Sequence, residues 1–400
     1  LASAYLLSGH ADLMLAGAVS AADPLFVNMG FTHFGAYPDK GESRPLDTDS
    51  EGLISGEGAG LLVLKRYSDA LRDGDTIHAV VAGIGLSNDG RGKHPLTPNP
   101  RGQILAFQRA YQDRVDPASV QYIECHASGT PLGDKTELQS MDEFFGAYDT
   151  APMIGSVKAN HGHLLTVAGL ASILKVILSM QHGQIPATIG VQNPLTSRRF
   201  GPAQIVRQNT LWPQEHKIAG VNAFGFGGVS AHLILENPAA AAQVQSAALP
   251  AAAKTRLAIV GMDAQFGDCD GLEAFAQSLY DGEQHFTALP PKRWKGLAED
   301  APSGAYIDSF EIDFLRFKFP PREDDQPTPQ HLLLLKVADN AVQDAGLSED
   351  SNVAVIVVLG TELSLHQYRS RLDLSWQIKD SLAAHGLLHT NDVDDLEHIV

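Results

Sequence analysis

Apolar positions along the chain fall into two recurring patterns. Short, nearly unbroken runs such as DLMLAGAVS, GLLVLKR and HAVVAGIGL are bounded by Gly or turn-forming residues and predict strands covered on both faces. KIAGVNAFGFGGVSAHLILE, TRLAIVGMDAQFG and NVAVIVVLGTEL add further strand patterns. Segments with helical apolar spacing lie between them. PRGQILAFQRAYQ, GLEAFAQSLYDG and PQHLLLLKVADNAVQDAGL predict amphipathic helices, the last stopped by Gly346. After Gly162 the spacing changes: Leu164, Leu165, Val167, Leu170, Ile173, Leu174, Ile177 and Leu178 leave no polar face, which predicts a buried helix. Lys175 within that helix argues against a membrane span. Strand and helix patterns alternating in this way predict a layered α/β architecture.

The alternation is broken once. NPAAAAQVQSAALPAAAKT, from Asn237 to Thr255, has almost no large apolar residue and reads as a linker. The expected organisation is therefore residues 1–237, an Ala/Pro linker at 238–255, and a second unit at 256–400. Charge supports the division, because residues 256–400 carry −14 of the formal net charge of −18. Lys and Arg are not clustered, which excludes a nucleic-acid backbone as partner. Two cysteines, Cys125 and Cys269, cannot form a disulfide framework, and no signal peptide or uninterrupted apolar run of spanning length is present. The expectation is a reducing, cytoplasmic setting. The chain opens at Leu1 inside a helical pattern and stops at Val400 inside another, so it is expected to be a fragment cut at both ends.

Three stretches carry candidate chemistry. In VQYIECHASGTPLGDKTEL, Val120–Leu138, a buried strand delivers His126 to a loop of small residues, where α/β sheets bind ligands. In GSVKANHGHLLTVAGL, His163 falls at the expected first turn of the buried helix, where the helix dipole disfavours imidazolium; Ser156, Lys158 and Asn160 precede it. Each histidine could instead be a cap, and His126, His161 and His163 together could be three zinc ligands. In NAFGFGGVSAHLILE, the glycines free backbone N–H groups suited to an oxyanion. Cys125 is adjacent to His126 on a strand, so the two side chains point to opposite faces, and Cys125 reads as a small buried hydrophobe. SGEGAG, Ser55–Gly60, precedes a strand instead of opening a helix, so the dinucleotide-binding reading fails on context.

Taken in order, RPLDTDSEGLISGEGAG, ECHASGTPLGDKTEL, GSVKANHGH and NAFGFGGVSAHLILE resemble the signature stretches of β-ketoacyl synthases, the condensing enzymes of fatty acid and polyketide assembly. The resemblance covers residues 1 to about 237. It implies a thiolase-like layered α/β/α/β/α fold, here incomplete at both ends, and dimerisation. It implies that His126 and His163 are the catalytic histidines and Lys158 the lysine that organises them. It places Ser128 and Thr130 beside the pantetheine arm, and Phe226 at the gate, with Gly225 and Gly227 in the oxyanion loop. No bound cofactor or metal is expected; the phosphopantetheine arm of an acyl carrier protein brings the malonyl and acyl thioesters. Neither cysteine matches the family's nucleophile, which is expected to lie beyond Leu1, so the isolated chain is expected to be inactive as a condensing enzyme.

Residues 256–400 resemble the amino-terminal third of another synthase-like domain. Two such domains in succession are similar to the ketosynthase and chain length factor region of bacterial polyunsaturated fatty acid synthases. The alternatives left open are a ketosynthase of a modular polyketide synthase and a pair of non-catalytic chain length factors.

Overall fold

A computed structural model describes residues 1–21, 30–32, 34–38, 42–89, 97–112, 115–225, 228–239, 257–289, 303–313, 315–317, 329–347 and 353–359. The strands are β1 (Leu13–Ser20), β2 (Gly58–Arg66), β3 (Ala79–Asn88), β4 (Tyr122–Glu124), β5 (Met153–Gly155), β6 (Gln184–Ile185), β7 (Thr210–Leu211), β8 (Ile218–Gly225), β9 (Val229–Glu236), β10 (Leu257–Phe266), β11 (Cys269–Asp270) and β12 (Val353–Leu359). The helices are α1 (Ala2–Leu7), α2 (Tyr67–Asp73), α3 (Pro100–Tyr111), α4 (Pro131–Gly146), α5 (Lys158–His161), α6 (Ala168–His182), α7 (Leu272–Asp281) and α8 (Pro329–Asp344). The predicted strands and helices are thus present, and KIAGVNAFGFGGVSAHLILE divides into the antiparallel hairpin β8–β9. Most of the 238–255 segment lies outside the described residues.

One mixed sheet runs β12-β1-β2-β10-β3-β9-β8-β4-β5, with β11 paired to β10. β2 is buried along nearly its whole length, as its unbroken apolar run requires. On one face, Leu13, Leu15, Leu61 and Val63 pack with Leu333, Val337 and Ala341 of α8. On the other, Met14, Leu62, Leu64 and Ile259 share a core with Leu174, Ile177 and Leu178 of α6, and that core continues into Tyr122, Ala219 and Val221 from β4 and β8. Strands from both halves of the sheet therefore cover α6, which is why it carries no polar face. Leu165–His182 is the one stretch among the described residues long and apolar enough to cross a membrane, and 61% of it is buried inside the fold. Its Lys175 pairs with Glu124 at 2.7 Å, both fully buried.

Residues 257–359 build no sheet of their own among the described residues. β10 lies between β2 and β3, antiparallel to both, and β12 lies parallel to β1. β10 satisfies the N–H and C=O groups of β2 and contributes Ala258, Ile259 and Val260 to the cores on both faces. The segment beyond the linker thus completes the sheet begun before it.

Candidate active site

His126 lies two residues beyond β4, in a loop fixed by the helix that follows. Glu137 of α4 accepts the N–H of His126 at 2.8 Å and that of Ala127 at 2.7 Å. Asp134, one turn earlier on the same face, accepts the N–H groups of Gly129 at 3.1 Å and Leu46 at 2.9 Å. The two carboxylates hold the loop by its backbone and leave the His126 ring free to face the site. Gly129 turns there with φ +86°, and a Cβ would come within 2.5 Å of Ser43 Oγ. Burial raises the Asp134 carboxyl to about 7, against the pull of its backbone donors, and raises Glu137 as well.

His163 arrives from the opposite direction. Gly162 reverses the chain between α5 and His163 with φ +66°, and a Cβ on it would meet Ile54 O at 2.5 Å. The His163 N–H donates to Ile54 O at 2.6 Å, and His163 forms a parallel bridge with Ser55. This corrects the sequence expectation: α6 begins at Ala168 after a short turn at Leu165–Val167, so His163 precedes the helix and is not in its first turn. The ring is kept neutral by burial first and by Lys158 second, which bring its pKa to about 3.

The two rings meet edge to face, with centroids 5.3 Å apart and planes at 77°. His126 Nδ1 accepts the Phe224 N–H at 3.3 Å, and His163 Nδ1 accepts the Leu165 N–H at 3.1 Å. Since a neutral imidazole holds one proton, both rings carry it on Nε2. Each then presents an N–H donor with its other nitrogen tied to the backbone. Burial, followed by Lys158 and His163, also lowers His126 well below its ordinary range. Lys158 is buried, its pKa lowered by desolvation and opposed by Glu124, Glu137 and Asp134. Its proximity discourages either histidine from taking a second proton.

Ser128 and Thr130 lie together in the same loop, Oγ to Oγ1 at 3.0 Å. Gly225 ends β8 opposite Val229, whereas Phe226 and Gly227 lie outside the described residues. Cys125 is a fully buried free thiol, its Sγ 3.9 Å from Ile123 O and its pKa raised by burial. His161 does not join His126 and His163; its ring stacks on His285.

Sequence reasoning missed a buried polar network behind the site. Tyr111 OH is 3.1 Å from His232 Nε2, His232 Nδ1 is 2.6 Å from Asn222 Oδ1, and Asn222 Nδ2 donates to Glu137 Oε1 at 2.6 Å. With Asn222 Nδ2 given to Glu137, its Oδ1 must accept from His232 Nδ1–H. The legible signal was the i, i+3 pair Asp134 and Glu137 in a helix otherwise turned toward the core. Glu124 was missed too: it accepts from Val157 N and Tyr122 OH, each at 2.6 Å, and ties β4 to the turn before α5.

A mixed sheet folded about an apolar helix, with two neutral histidines on loops at its strand ends, is the thiolase-like fold of the condensing enzymes. Solved ketosynthases share it. The PfaC Keto synthase-Chain length factor is 46% identical, with a TM-score of 0.59 over 98% of this chain and 43% of that one. A ketosynthase from module 6 of the bacillaene synthase of Bacillus subtilis is 30% identical, with a TM-score of 0.56 over 58% of this chain and 43% of that one.

The chain belongs to the β-ketoacyl synthase family. It matches the beta-ketoacyl synthase N-terminal domain over residues 1–70 and 254–390, the C-terminal domain over 78–192, and the ketoacyl-synthetase C-terminal extension over 195–284. The two separated stretches of N-terminal match are those that supply β1 and β2, and β10 and β12, side by side in the sheet. A polyunsaturated fatty acid synthase polypeptide of Thraustochytrium sp. is 40% identical over 96% of this chain and 20% of its own length. A phenolphthiocerol/phthiocerol polyketide synthase polypeptide of Mycobacterium tuberculosis is 38% identical over 70% of this chain and 20% of its own. The chain spans about a fifth of these two relatives and under half of the two solved structures.

Proposed function

We propose that this chain contributes the decarboxylating and condensing machinery of a polyunsaturated fatty acid synthase, acting on malonyl and acyl thioesters carried by an acyl carrier protein. The observation that carries this reading is the pair of Nε2–H donors at His126 and His163, each fixed by a backbone N–H on Nδ1. In a malonyl thioester the bond to the carboxylate breaks, carbon dioxide leaves, and the electron pair moves onto the thioester oxygen. Two neutral imidazoles donate to that enolate oxygen. The enolate carbon then attacks an acyl thioester carbonyl. The tetrahedral intermediate, held by amides of the 225–228 loop, collapses by expelling a cysteine thiolate, which leaves a β-ketoacyl thioester.

Lys158 sets the charge balance that keeps both rings neutral. In this reading Ser128 and Thr130 receive the amides of the pantetheine arm, Phe226 gates the acyl chain, and Gly225 and Gly227 supply the oxyanion loop. Neither Cys125 nor Cys269 serves as nucleophile in this reading; that thiolate comes from outside the sequence. Residues 256–400 are read as the amino-terminal part of a second, chain length factor-like unit after the 238–255 linker, and pairing of ketosynthase with chain length factor, or a dimer, as the working assembly. A cytoplasmic location accords with two free cysteines.

The test uses the half-reaction that needs no nucleophile. The purified chain is expected to convert malonyl-pantetheine to acetyl-pantetheine, and His126→Asn or His163→Asn to slow this by about 10²-fold or more. Turnover undiminished in both variants, or none with the wild-type chain, would overturn the assignment. A thioester electrophile is expected to label neither cysteine at an active site; an acyl adduct on Cys125 would contradict the placement of the nucleophile.

A further inference from the structure

Two residues before His163 lies a second buried imidazole. His161 is fully buried, its ring stacked on His285 with centroids 4.7 Å apart and planes at 6°. Its Nε2 is 3.3 Å from Ser278 Oγ, and its Nδ1 has no hydrogen-bond partner. Cys269 Sγ lies 3.5 Å from His285 Nε2, and Ser278 Oγ 2.5 Å from the same nitrogen. Cys269 Sγ is also 4.0 Å from His285 Nδ1, and that nitrogen is 2.5 Å from Asp268 Oδ1. One ligand atom from each of His161, Cys269 and His285 falls within 4.8 Å of the other two, and this is the one such trio among the described residues.

We propose that His161, Cys269 and His285 form a zinc site that ties the segment after the linker to the loop carrying His163. One sulfur and two imidazole nitrogens are the donor set of a borderline-soft divalent ion, and carboxylate ligands, which would favour magnesium or calcium, are absent from the trio. Asp268 Oδ1 lies beside His285 Nδ1, where an outer carboxylate can orient a metal-binding histidine, while Ser278 Oγ is the group beside Nε2. The unpartnered His161 Nδ1 is a buried acceptor at a location where such atoms are seldom left unused.

Binding breaks the Cys269 S–H bond. The proton passes to solvent, and the sulfur lone pair goes to the ion. A tetrahedral ion with bonds of about 2.0–2.3 Å sets its ligands roughly 3.3–3.8 Å apart, so the trio must close by about an ångström. The two stacked rings must also turn about their own axes, and Ser278 Oγ must yield its contact with His285 Nε2, leaving the fourth position to water.

The surroundings already join these segments. His285 N–H donates to Asn160 O at 3.1 Å, Asn160 Nδ2 to Glu283 O at 2.9 Å, and Gln284 Nε2 to Ala159 O at 3.2 Å. An ion held here would clamp residues 269–285 onto α5, and through Gly162 onto His163.

Titration of the full 400-residue chain with Co²⁺ as a probe should give one equivalent of a tetrahedral site, with a thiolate-to-cobalt charge-transfer band that Zn²⁺ bleaches. Cys269→Ser should abolish that band, and His285→Gln should weaken binding by about 10- to 100-fold. Cys125→Ser and His126→Asn should leave both unchanged. Loss of the band in a variant counts only where thermal unfolding of the metal-free protein matches the wild type; His161→Gln is the second probe if Cys269→Ser misfolds. Absence of the band in the wild-type chain, or its persistence in Cys269→Ser or His161→Gln, would overturn the proposal.

Discussion

His161 and His163 are separated by one glycine, yet they belong to different chemistry. At His163 a backbone N–H occupies Nδ1, the tautomer is fixed with the proton on Nε2, and the ring meets that of His126 edge to face. At His161 no backbone group reaches the ring; Nδ1 is an unused acceptor, and the neighbours are another imidazole, a thiol and a hydroxyl. Both rings are neutral and buried, with pKa values brought to about 3. What separates them is the proton's position. A ring whose proton is fixed on Nε2 by a backbone N–H at Nδ1 is built to donate to developing negative charge, whereas a ring with a bare buried nitrogen among other lone pairs is suited to a cation. Gly162 makes the division possible, because its φ of +66° reverses the chain between the two histidines.

The comparison can be broken first at the catalytic pair. His163→Asn should lower malonyl-thioester decarboxylation by about 10²-fold or more while leaving Co²⁺ binding intact, and His161→Gln should do the reverse. If both substitutions reduced both readouts equally, the two rings would form one functional unit.

Glu137 tests whether positioning lies behind the first cluster alone. Glu137→Leu leaves three donors, at His126, Ala127 and Asn222, without their acceptor. At roughly 1 kcal/mol or more for each, stability should fall by about 3 kcal/mol, read as a lower urea midpoint. Metal affinity measured on the folded fraction should not change.

Gly162→Ala would strain the hinge shared by both sites. An L-residue at that φ, with its Cβ 2.5 Å from Ile54 O, should cost about 1–3 kcal/mol. It should also reduce both catalysis and cobalt binding, the one substitution expected to do so. A variant that lost only one of the two would mean that the sites do not share this turn.

The remaining test is the pH dependence. His163 is held at about 3 by burial and Lys158, against an unfolded value of 6.5. Between those values the unfolded chain binds a proton that the folded chain refuses. The group's contribution is therefore fully present above pH 6.5 and is lost as pH falls toward 3. His163→Asn should flatten the acid side of the stability curve by about 1.4 kcal/mol per pH unit, measured by urea titrations across that range. An unchanged slope would show that the ring is protonated in the folded chain.

Much of this molecule is legible from local pattern. The unbroken run in β2 and the all-round apolar surface of α6 follow from residues close in sequence, because strand and helix periods are local properties. His126 stands out because a strand ends at it. His163 stands out as well, but in the wrong setting, since nothing local shows that the turn at Leu165–Val167 delays the helix to Ala168. Asp134 and Glu137 are visible as a pair within the His126 stretch, but their role is not, because their partners are mostly backbone amides, which sequence patterns do not display.

What the chain's order of residues determined by itself is the set of elements, the buried core helix and the family signatures around His126, Lys158 and His163. Tertiary structure alone decided that β10 enters between β2 and β3, that Asn222 and His232 brace Glu137, and that Cys269 and His285 come to rest beside His161. The reason is one of range: periodicity records which face of an element is buried, whereas strand neighbours and converging side chains far apart in sequence are chosen by the packing of the whole sheet.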